Sequence, residues 1–202
     1  ACEDETTEMP RLFRPSFIAS SCFAESNTIT LAWRTSGEAT SYTVELSQDA
    51  TFQSENLETQ TVEKGKCTFA NLRYETKFYA RVRANNESLA ITSNWTEMGS
   101  SISTLSRTIP KILYAVEGSQ INETSVEIKW VVSEKNPVDG LAIWEERTTE
   151  EKQISLEDAS AGQYTITGLT PRTTYYVALT NSAAPEGAEK YNQQRFTTAG
   201  MP

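Results

Sequence analysis

Two similar stretches, NLRYETKFYARVRA at residues 71–84 and GLTPRTTYYVALTN at residues 168–181, indicate how the chain folds. Their leucines, Leu72 and Leu169, are 97 residues apart. Two runs of alternating apolar and polar residues, TITLAW and SVEIKW, end in tryptophans that have the same spacing. Two motifs that recur at one offset indicate an internal duplication of about the length of one small domain.

Alternation with period two places one face of a strand in a core and the other face in water. Each copy contains several short runs of this kind, separated by turn residues. The pattern predicts an all-β fold with a sandwich of seven antiparallel strands in each copy, and it places Trp33 and Trp130 in the two cores. The predicted domains are residues 11–106 and 107–202, preceded by a tether at residues 1–10.

The composition excludes several classes of function. The chain of 202 residues has a formal net charge of −9 and no histidine. Its basic residues are scattered, whereas a nucleic-acid surface needs clustered Lys and Arg. The absence of histidine removes the usual general base of nucleophilic triads and the commonest metal ligand. Because no phosphate, zinc or calcium motif is present either, we predict no enzymatic activity, no cofactor, no metal and no nucleic-acid partner.

The second copy resembles the fibronectin type III pattern, through Leu169, Pro171, Thr173, Tyr175 and Val177. The resemblance includes the tryptophan at the end of the second strand and the apolar strand that follows it, SYTVEL or GLAIWE. It covers nearly the whole chain from about residue 11 and implies two tandem immunoglobulin-like sandwiches of the fibronectin type III kind.

The first copy departs from this pattern at two positions. Tyr74 stands where proline is usual, and Phe78 replaces the corner tyrosine, whose hydroxyl bonds the backbone upstream. The resemblance therefore implies that the first copy lacks this hydrogen bond and that its turn before the sixth strand is the softer of the two.

Two cysteines fall within the first copy. Cys22 lies near the end of the first strand or in the turn after it, and Cys67 begins the fifth strand. In this fold we expect the two positions to lie toward opposite poles, too far apart for the Cα separation of roughly 4.4–6.8 Å that a disulfide requires. Both are therefore predicted to be buried free thiols.

Trp95 lies where the last strand of the first copy begins. The sequence around it resembles half of the Trp-Ser-x-Trp-Ser box of cytokine receptors, which implies stacking on arginines of the preceding strand. Alternation turns Arg81 and Arg83 outward, as such stacking requires, and a guanidinium over an indole is attractive by roughly 0.5–2 kcal/mol. We predict a structural cation–π ladder. A cytokine-receptor-like ectodomain is an alternative, although the paired cysteines of that family are missing.

In the second copy, Trp144 and Tyr176 are predicted to point outward side by side on neighbouring strands. Glu145 and Arg147 lie nearby as hydrogen-bonding groups. Sugars stack their C–H faces on such rings, and exposed aromatics are enriched in binding hot spots, so the pair is a candidate ligand platform. In the alternative interpretation the two rings only cover the sheet or pack against a neighbouring domain.

The first copy is predicted to lack this platform. We assign Glu45 and Tyr79 as the positions equivalent to the aromatic pair, so the platform belongs to the second copy alone. The alternation of the second copy also turns Ala178 outward, next to Tyr176.

The opening residues, ACEDETTEMP, are polar and acidic, so no packed structure is predicted there. A cysteine after the small residue Ala1 resembles the processed end of a bacterial lipoprotein and implies a lipid on Cys2. The following Glu3-Asp4-Glu5 is similar to the export signal of surface-exposed lipoproteins in Bacteroides-type bacteria. In the alternative interpretation this is an ordinary acidic tail with an incidental cysteine.

These features predict a non-catalytic interaction or spacer module of a lipoprotein that is attached to the outer membrane and exposed on the cell surface. The final stretch YNQQRFTTAGMP (191–202) looks like a last strand followed by a linker, and the resemblance implies a downstream carbohydrate-active or carbohydrate-binding domain. The alternative function is direct binding of a polysaccharide or a surface protein, as in an adhesin. The expected membrane contact is only through the lipid on Cys2, and the expected oligomeric state is a monomer.

Overall fold

The computed structural model describes residues 11–200. Their regular structure consists of β-strands and three short 3₁₀ turns, and no α-helix occurs within this range. None of the helical segments described could therefore cross a membrane. The chain divides into two compact units between Arg107 and Thr108.

The first unit contains two groups of antiparallel strands. The smaller group consists of β1 (Phe23–Glu25), β2 (Thr28–Ala32) and β5 (Lys66–Phe69), with β2 in the middle. The larger group consists of β3 (Ser41–Ser47), β4 (Glu58–Val62), β6 (Lys77–Asn86), β7 (Ile91–Thr92), β8 (Thr96–Glu97) and β9 (Ile102–Ser103). Its order begins β4-β3-β6, and the three short strands all pair with β6. The last strand of this sandwich is thus divided into three pieces.

The inward-facing residues of both sheets form the core of the first unit. Its fully buried side chains include Tyr42, Phe69, Ile29, Leu31, Leu46, Leu72, Val44 and Val82. Trp33 is 2% exposed, and its ring lies 5.6 Å from that of Tyr42 at a tilted angle. The predicted core tryptophan is confirmed, and the burial of these apolar side chains is the main force that holds the two sheets together.

The second unit has the same arrangement with fewer strands. Its strands are β10 (Val126–Lys129), β11 (Gly140–Glu145), β12 (Lys152–Ser155), β13 (Gln163–Ile166), β14 (Thr174–Thr180) and β15 (Lys190–Thr197). β10 pairs with β13, and the other four form a sheet in the order β12-β11-β14-β15. The position of a first strand is marked only by isolated bridges that join Leu113 to Trp130 and Ile121 to Val126.

The fold class predicted from the sequence is confirmed: the chain is all-β and forms two tandem immunoglobulin-like sandwiches. The core of the second unit includes Ile128, Leu141, Ile166, Val177 and Leu179, and Trp130 is 4% exposed. The two units differ at their edges, where the first unit has a divided last strand and the second unit a reduced first strand.

The turn before the sixth strand differs between the units as the sequence implied. The backbone N–H of Thr170 donates to the hydroxyl of Tyr175 at 2.9 Å, whereas Phe78 has no hydroxyl and is buried at 2% exposure. A buried threonine also holds this turn in both units, and the sequence patterns did not predict it. The buried hydroxyl of Thr104 donates to the carbonyl of Arg73 at 2.6 Å and accepts from Thr76 N–H at 3.0 Å, and Thr198 makes the same two bonds in the second unit.

Cys22 and Cys67 are free thiols, as predicted, but the expected placement at opposite poles is wrong. The Cys22 sulfur contacts the backbone of Ala32, at 3.4 Å from its nitrogen, and Cys67 is paired with the adjacent Leu31. Cys22 precedes β1, and β1 and β5 lie on opposite sides of β2. Two strand spacings separate the cysteines by roughly 9.6 Å, which exceeds the reach of a disulfide. Cys67 is buried and Cys22 only half-buried.

Candidate functional site

The candidate ligand platform lies on the outer face of the sheet formed by β12, β11, β14 and β15. Leu141 and Ile143 of β11 point into the core, so alternation turns Ala142 and Trp144 to the outer face. The antiparallel register places Trp144 directly opposite Tyr176 of β14. We call this outer surface of the second unit the outer face.

Trp144 and Tyr176, the aromatic pair, are both half-buried and stack on each other. Their ring centroids are 5.8 Å apart and the ring planes differ by 19°. Offset stacking of this kind is a favourable arrangement for two aromatic rings. The structure therefore brings together the two residues that the sequence placed side by side, although their role as a ligand platform stays a prediction.

A lysine that no sequence pattern predicted covers part of the aromatic pair. The ammonium of Lys190 lies 4.9 Å from the centre of the Trp144 ring and forms an ion pair with Glu151. Lys190 pairs with Thr180 of β14 across a register irregularity, so its side chain must cross β14 to reach the indole on β11. Any ligand that stacks on this face of Trp144 has to displace Lys190.

Two small residues lie on the outer face where the Lys190 side chain crosses β14. Ala142 and Ala178 are directly opposite each other on the outer face, and both are 0% exposed. The prediction that Ala178 faces outward agrees with its position in the strand, but Ala178 is not accessible to solvent. Two small side chains side by side leave the room that the aliphatic part of Lys190 needs.

On its other side, the aromatic pair continues into a network of charged groups. Arg195 is opposite Tyr176 and forms two hydrogen bonds of 3.2 Å with the carboxylate of Glu146. These bonds to Glu146, followed by its charge and the contact with Tyr176, raise the pKa of the Arg195 guanidinium. The network holds Glu146 and Tyr176 at neighbouring positions of one surface.

A shallow cavity opens beside this network. It has a volume of about 350 Å³ and is lined by residues 145–147 and 172–174, which include Glu145, Arg147 and Arg172. We call it the arginine cavity. Glu145 and Arg147 are the groups that the sequence places near the aromatic pair. Arg172 and its neighbouring threonines could not be found from the sequence, because the turn that holds them is distant in the chain.

The first unit has no counterpart of the aromatic pair, but the predicted equivalence was wrong. The structure pairs Tyr79 with Ser47, and it pairs Glu45 with Arg81. The position equivalent to Trp144 is therefore Ser47, not Glu45. Ser47 is 0% exposed and carries no ring, so the half-buried Tyr79 opposite it has no aromatic partner at this position.

The predicted ladder in the first unit is present as a stack of side chains. The guanidinium of Arg81 lies 4.2 Å from the centre of the Trp95 ring, and that of Arg83 lies 4.6 Å from it. Arg81 also lies 4.4 Å from the ring of Phe52 and forms an ion pair of 2.6 Å with Glu45. Arg81 has partners inside the unit in Glu45, Phe52 and Trp95, whereas the buried Nε of Arg83 has no hydrogen-bond partner among the described residues. The contacts of Arg81 suit stabilisation; the purely structural role of the ladder stays a prediction.

The predicted lipid attachment at Cys2 lies outside the described residues. Among residues 11–200, no group of three or more Cys, Asp and Glu side chains is arranged to hold a metal ion.

Residues 14–98, which lie within the first unit, match the family model of the fibronectin type III domain. No curated protein matches the chain. Two solved structures are similar to it, each with 15% sequence identity. One is the FN1–FN3 domains of chicken CNTN1, with 95% of this chain and 68% of that chain covered and a TM-score of 0.36. The other is a segment of two fibronectin type III domains from chicken tenascin, with 93% and 99% covered and a TM-score of 0.39.

The second unit repeats the strand order of the first and carries the corner tyrosine at Tyr175. The second unit therefore shares the sandwich topology of the first, while the family match covers residues 14–98. Domains of this family are in general non-catalytic modules for spacing and binding.

Proposed function

We propose that this tandem module is the spacer of a bacterial surface lipoprotein and holds a further, carbohydrate-directed domain away from the outer membrane. The observation that carries the proposal is the sequence Ala1-Cys2-Glu3-Asp4-Glu5, which precedes two β-sandwich units in the chain. A lipid on Cys2 would provide the anchor, and the acidic residues would direct export. The bacterial origin and the outer-membrane location belong to this proposal.

The separate hydrophobic cores of the two units support a spacer role. Each unit has its own buried core, and the turn before the sixth strand is fixed in both by a buried threonine. A domain with a separate core keeps its shape independently of its neighbours, which is what a spacer requires.

Membrane partition of the protein, expressed with its own signal sequence, tests the proposal. We expect the wild type in the membrane fraction and the Cys2→Ala variant in the soluble fraction, since several acyl chains anchor a protein stably. Cys22→Ala is the matched control and should remain with the membrane. Antibody should label intact cells. A wild-type protein that is fully soluble would refute the lipid anchor, and labelling only after lysis would refute the surface location.

A second candidate function is direct binding of a glycan on the outer face of the second unit. The observation that favours it is that the aromatic pair and the arginine cavity lie on one surface. Stacking rings provide the apolar contact that a sugar needs, and the cavity provides charged and hydroxyl groups for its hydroxyls. Lys190 would act as a cover on Trp144 that the glycan displaces.

Binding of soluble polysaccharides to the 202-residue chain tests this candidate. We expect Trp144→Ala with Tyr176→Ala to abolish binding, and Lys190→Ala to strengthen it because the ring face is then open. Trp95→Ala, in the first unit, is the control for loss of an aromatic group. If no polysaccharide binds to the wild type, or if the double variant binds as well as the wild type, the outer face is not a glycan site.

A further inference from the structure

Two guanidinium groups of the second unit have no side-chain partner within residues 11–200. The side chains of Arg147 and Arg172 form none of the hydrogen bonds or ion pairs found there, although both line the arginine cavity. Each guanidinium presents a planar set of N–H donors that matches a carboxylate or a sulfate. An anion in the cavity would provide the partner that both groups lack.

The cavity lies one step along the strands from the aromatic pair. Glu146 and Thr174 line the cavity, and they are the next outward positions after Trp144 and Tyr176. The pairing of the strands continues there, because Glu146 N–H donates to the carbonyl of Thr174 at 2.9 Å. Two residues of a strand span about 7 Å, so the aromatic pair and the cavity can contact neighbouring units of one extended polymer.

The charges in the cavity favour an anionic ligand. Of its two carboxylates, Glu146 is held by Arg195 through two hydrogen bonds, which leaves Glu145 as the carboxylate without a side-chain partner among residues 11–200. Two guanidinium groups therefore face one such carboxylate. The chain as a whole has a net charge of −9 and repels polyanions, so attraction of an anionic polymer requires a local basic site of this kind.

We infer that the aromatic pair and the arginine cavity form one site for an anionic polysaccharide. A sugar ring stacks on Trp144 and Tyr176, and the acidic group of a neighbouring residue of the polymer binds to Arg147 and Arg172. This inference rests on the glycan-binding candidate and specifies its ligand class. The shared chemistry is a carboxylate or a sulfate carried on a sugar ring.

Binding to two matched pairs of polymers tests the inference. Polygalacturonate and its methyl ester differ in the charge of the carboxylate, and dextran sulfate and dextran differ in the sulfate. We expect at least one anionic polymer to bind at least tenfold more tightly than its neutral partner. The pair that shows the difference identifies the acidic group, and the difference should decrease as salt is raised, because exposed charges are screened.

Arginine variants then locate the acidic group. Arg147→Gln with Arg172→Gln should lower the affinity for the anionic polymer to that for its neutral partner. Arg34→Gln with Arg73→Gln is the matched control, since it removes the same charge from two exposed arginines of the first unit and should leave the affinity unchanged. Equal losses in both double variants would mean general electrostatic attraction and would overturn the inference.

The remaining outcomes separate this inference from the function on which it rests. If neutral and anionic polymers bind equally and the loss of Trp144 and Tyr176 abolishes both, the outer face is a glycan site without selection for acid. The inference is then wrong and the candidate function stands. If none of the four polymers and no other neutral polysaccharide binds, both are refuted, whereas the spacer proposal is decided by the partition experiment alone.

Discussion

Phe78→Tyr would test how the turn before the sixth strand of the first unit is held. In the second unit the Tyr175 hydroxyl accepts a hydrogen bond from Thr170 N–H at 2.9 Å. The equivalent residues of the first unit, 97 positions earlier, are Phe78 and Arg73. Among the hydrogen bonds of residues 11–200, none involves the Arg73 backbone N–H. The new hydroxyl would therefore meet a donor that is without a partner.

The size of the effect follows from burial and from the hydrogen bond. Phe78 is 2% exposed, so a tyrosine hydroxyl that found no partner there would cost about 1–3 kcal/mol. A neutral hydrogen bond contributes about 0.5–1.5 kcal/mol net. We expect Phe78→Tyr to be neutral or to raise the free energy of unfolding by up to about 1.5 kcal/mol. The converse change, Tyr175→Phe, should lower it by a similar amount.

Urea denaturation of the whole chain, with tryptophan fluorescence as the signal, measures the free energies. Amide hydrogen exchange at Arg73 measures the new bond directly, and its exchange should slow in the Phe78→Tyr variant. Destabilisation by more than about 1 kcal/mol, with unchanged exchange at Arg73, would refute the reasoning, because a buried hydroxyl would then lack a partner.

Three further predictions concern other buried or stacked groups. Thr104→Val should destabilise the first unit by about 2–3 kcal/mol in urea denaturation, since it leaves two backbone groups unpaired, and Thr104→Ser, which keeps the hydroxyl, should cost much less. Burial, followed by the charge of Cys22, raises the pKa of Cys67 from 9.0 to about 12. The stability due to the neutral thiol is therefore present below pH 9 and lost as the pH rises toward 12. The free energy of unfolding of Cys67→Ala, measured by denaturation at several pH values, should lack this decrease. An identical decrease in the variant would contradict the assignment to Cys67. Arg81→Lys keeps the charge but loses the planar stack on Trp95, so it should lower the free energy of unfolding by about 1 kcal/mol. If Glu45→Gln lowers the free energy of unfolding and Arg81→Lys does not, the ion pair between Arg81 and Glu45 is the dominant contribution.

Much of the candidate site could be predicted from local patterns. Alternation within one strand placed Trp144 and Tyr176 outward, and it placed Arg81 and Arg83 on the side of Trp95. These predictions needed only the face of each strand and the order of strands in a known sandwich, and both are encoded within short stretches of sequence.

Contacts across several strands could not be predicted in this way. Lys190 reaches Trp144 because the pairing of β14 and β15 shifts between Ala178 and Thr180. An irregularity of this kind depends on packing along the whole strand, and no local pattern in the sequence of β15 predicts it. The error that matched Glu45 with Trp144 has a different origin. The offset of 97 residues between the copies already relates Trp144 to Ser47, and a shift of two residues keeps the face of a strand but changes its partner.

The duplication, the two tryptophan cores, the corner tyrosine and its loss at Phe78 can all be recognised in the sequence, because each depends on residue type at a fixed spacing. Which distant groups meet became clear from the three-dimensional structure: the threonine that follows the last strand at the turn before the sixth, the two cysteines on either side of β2, and Arg172 beside Arg147. The physical reason is that periodicity records whether a side chain is buried or exposed, whereas the identity of its neighbours is set by strand register and by turns distant in sequence.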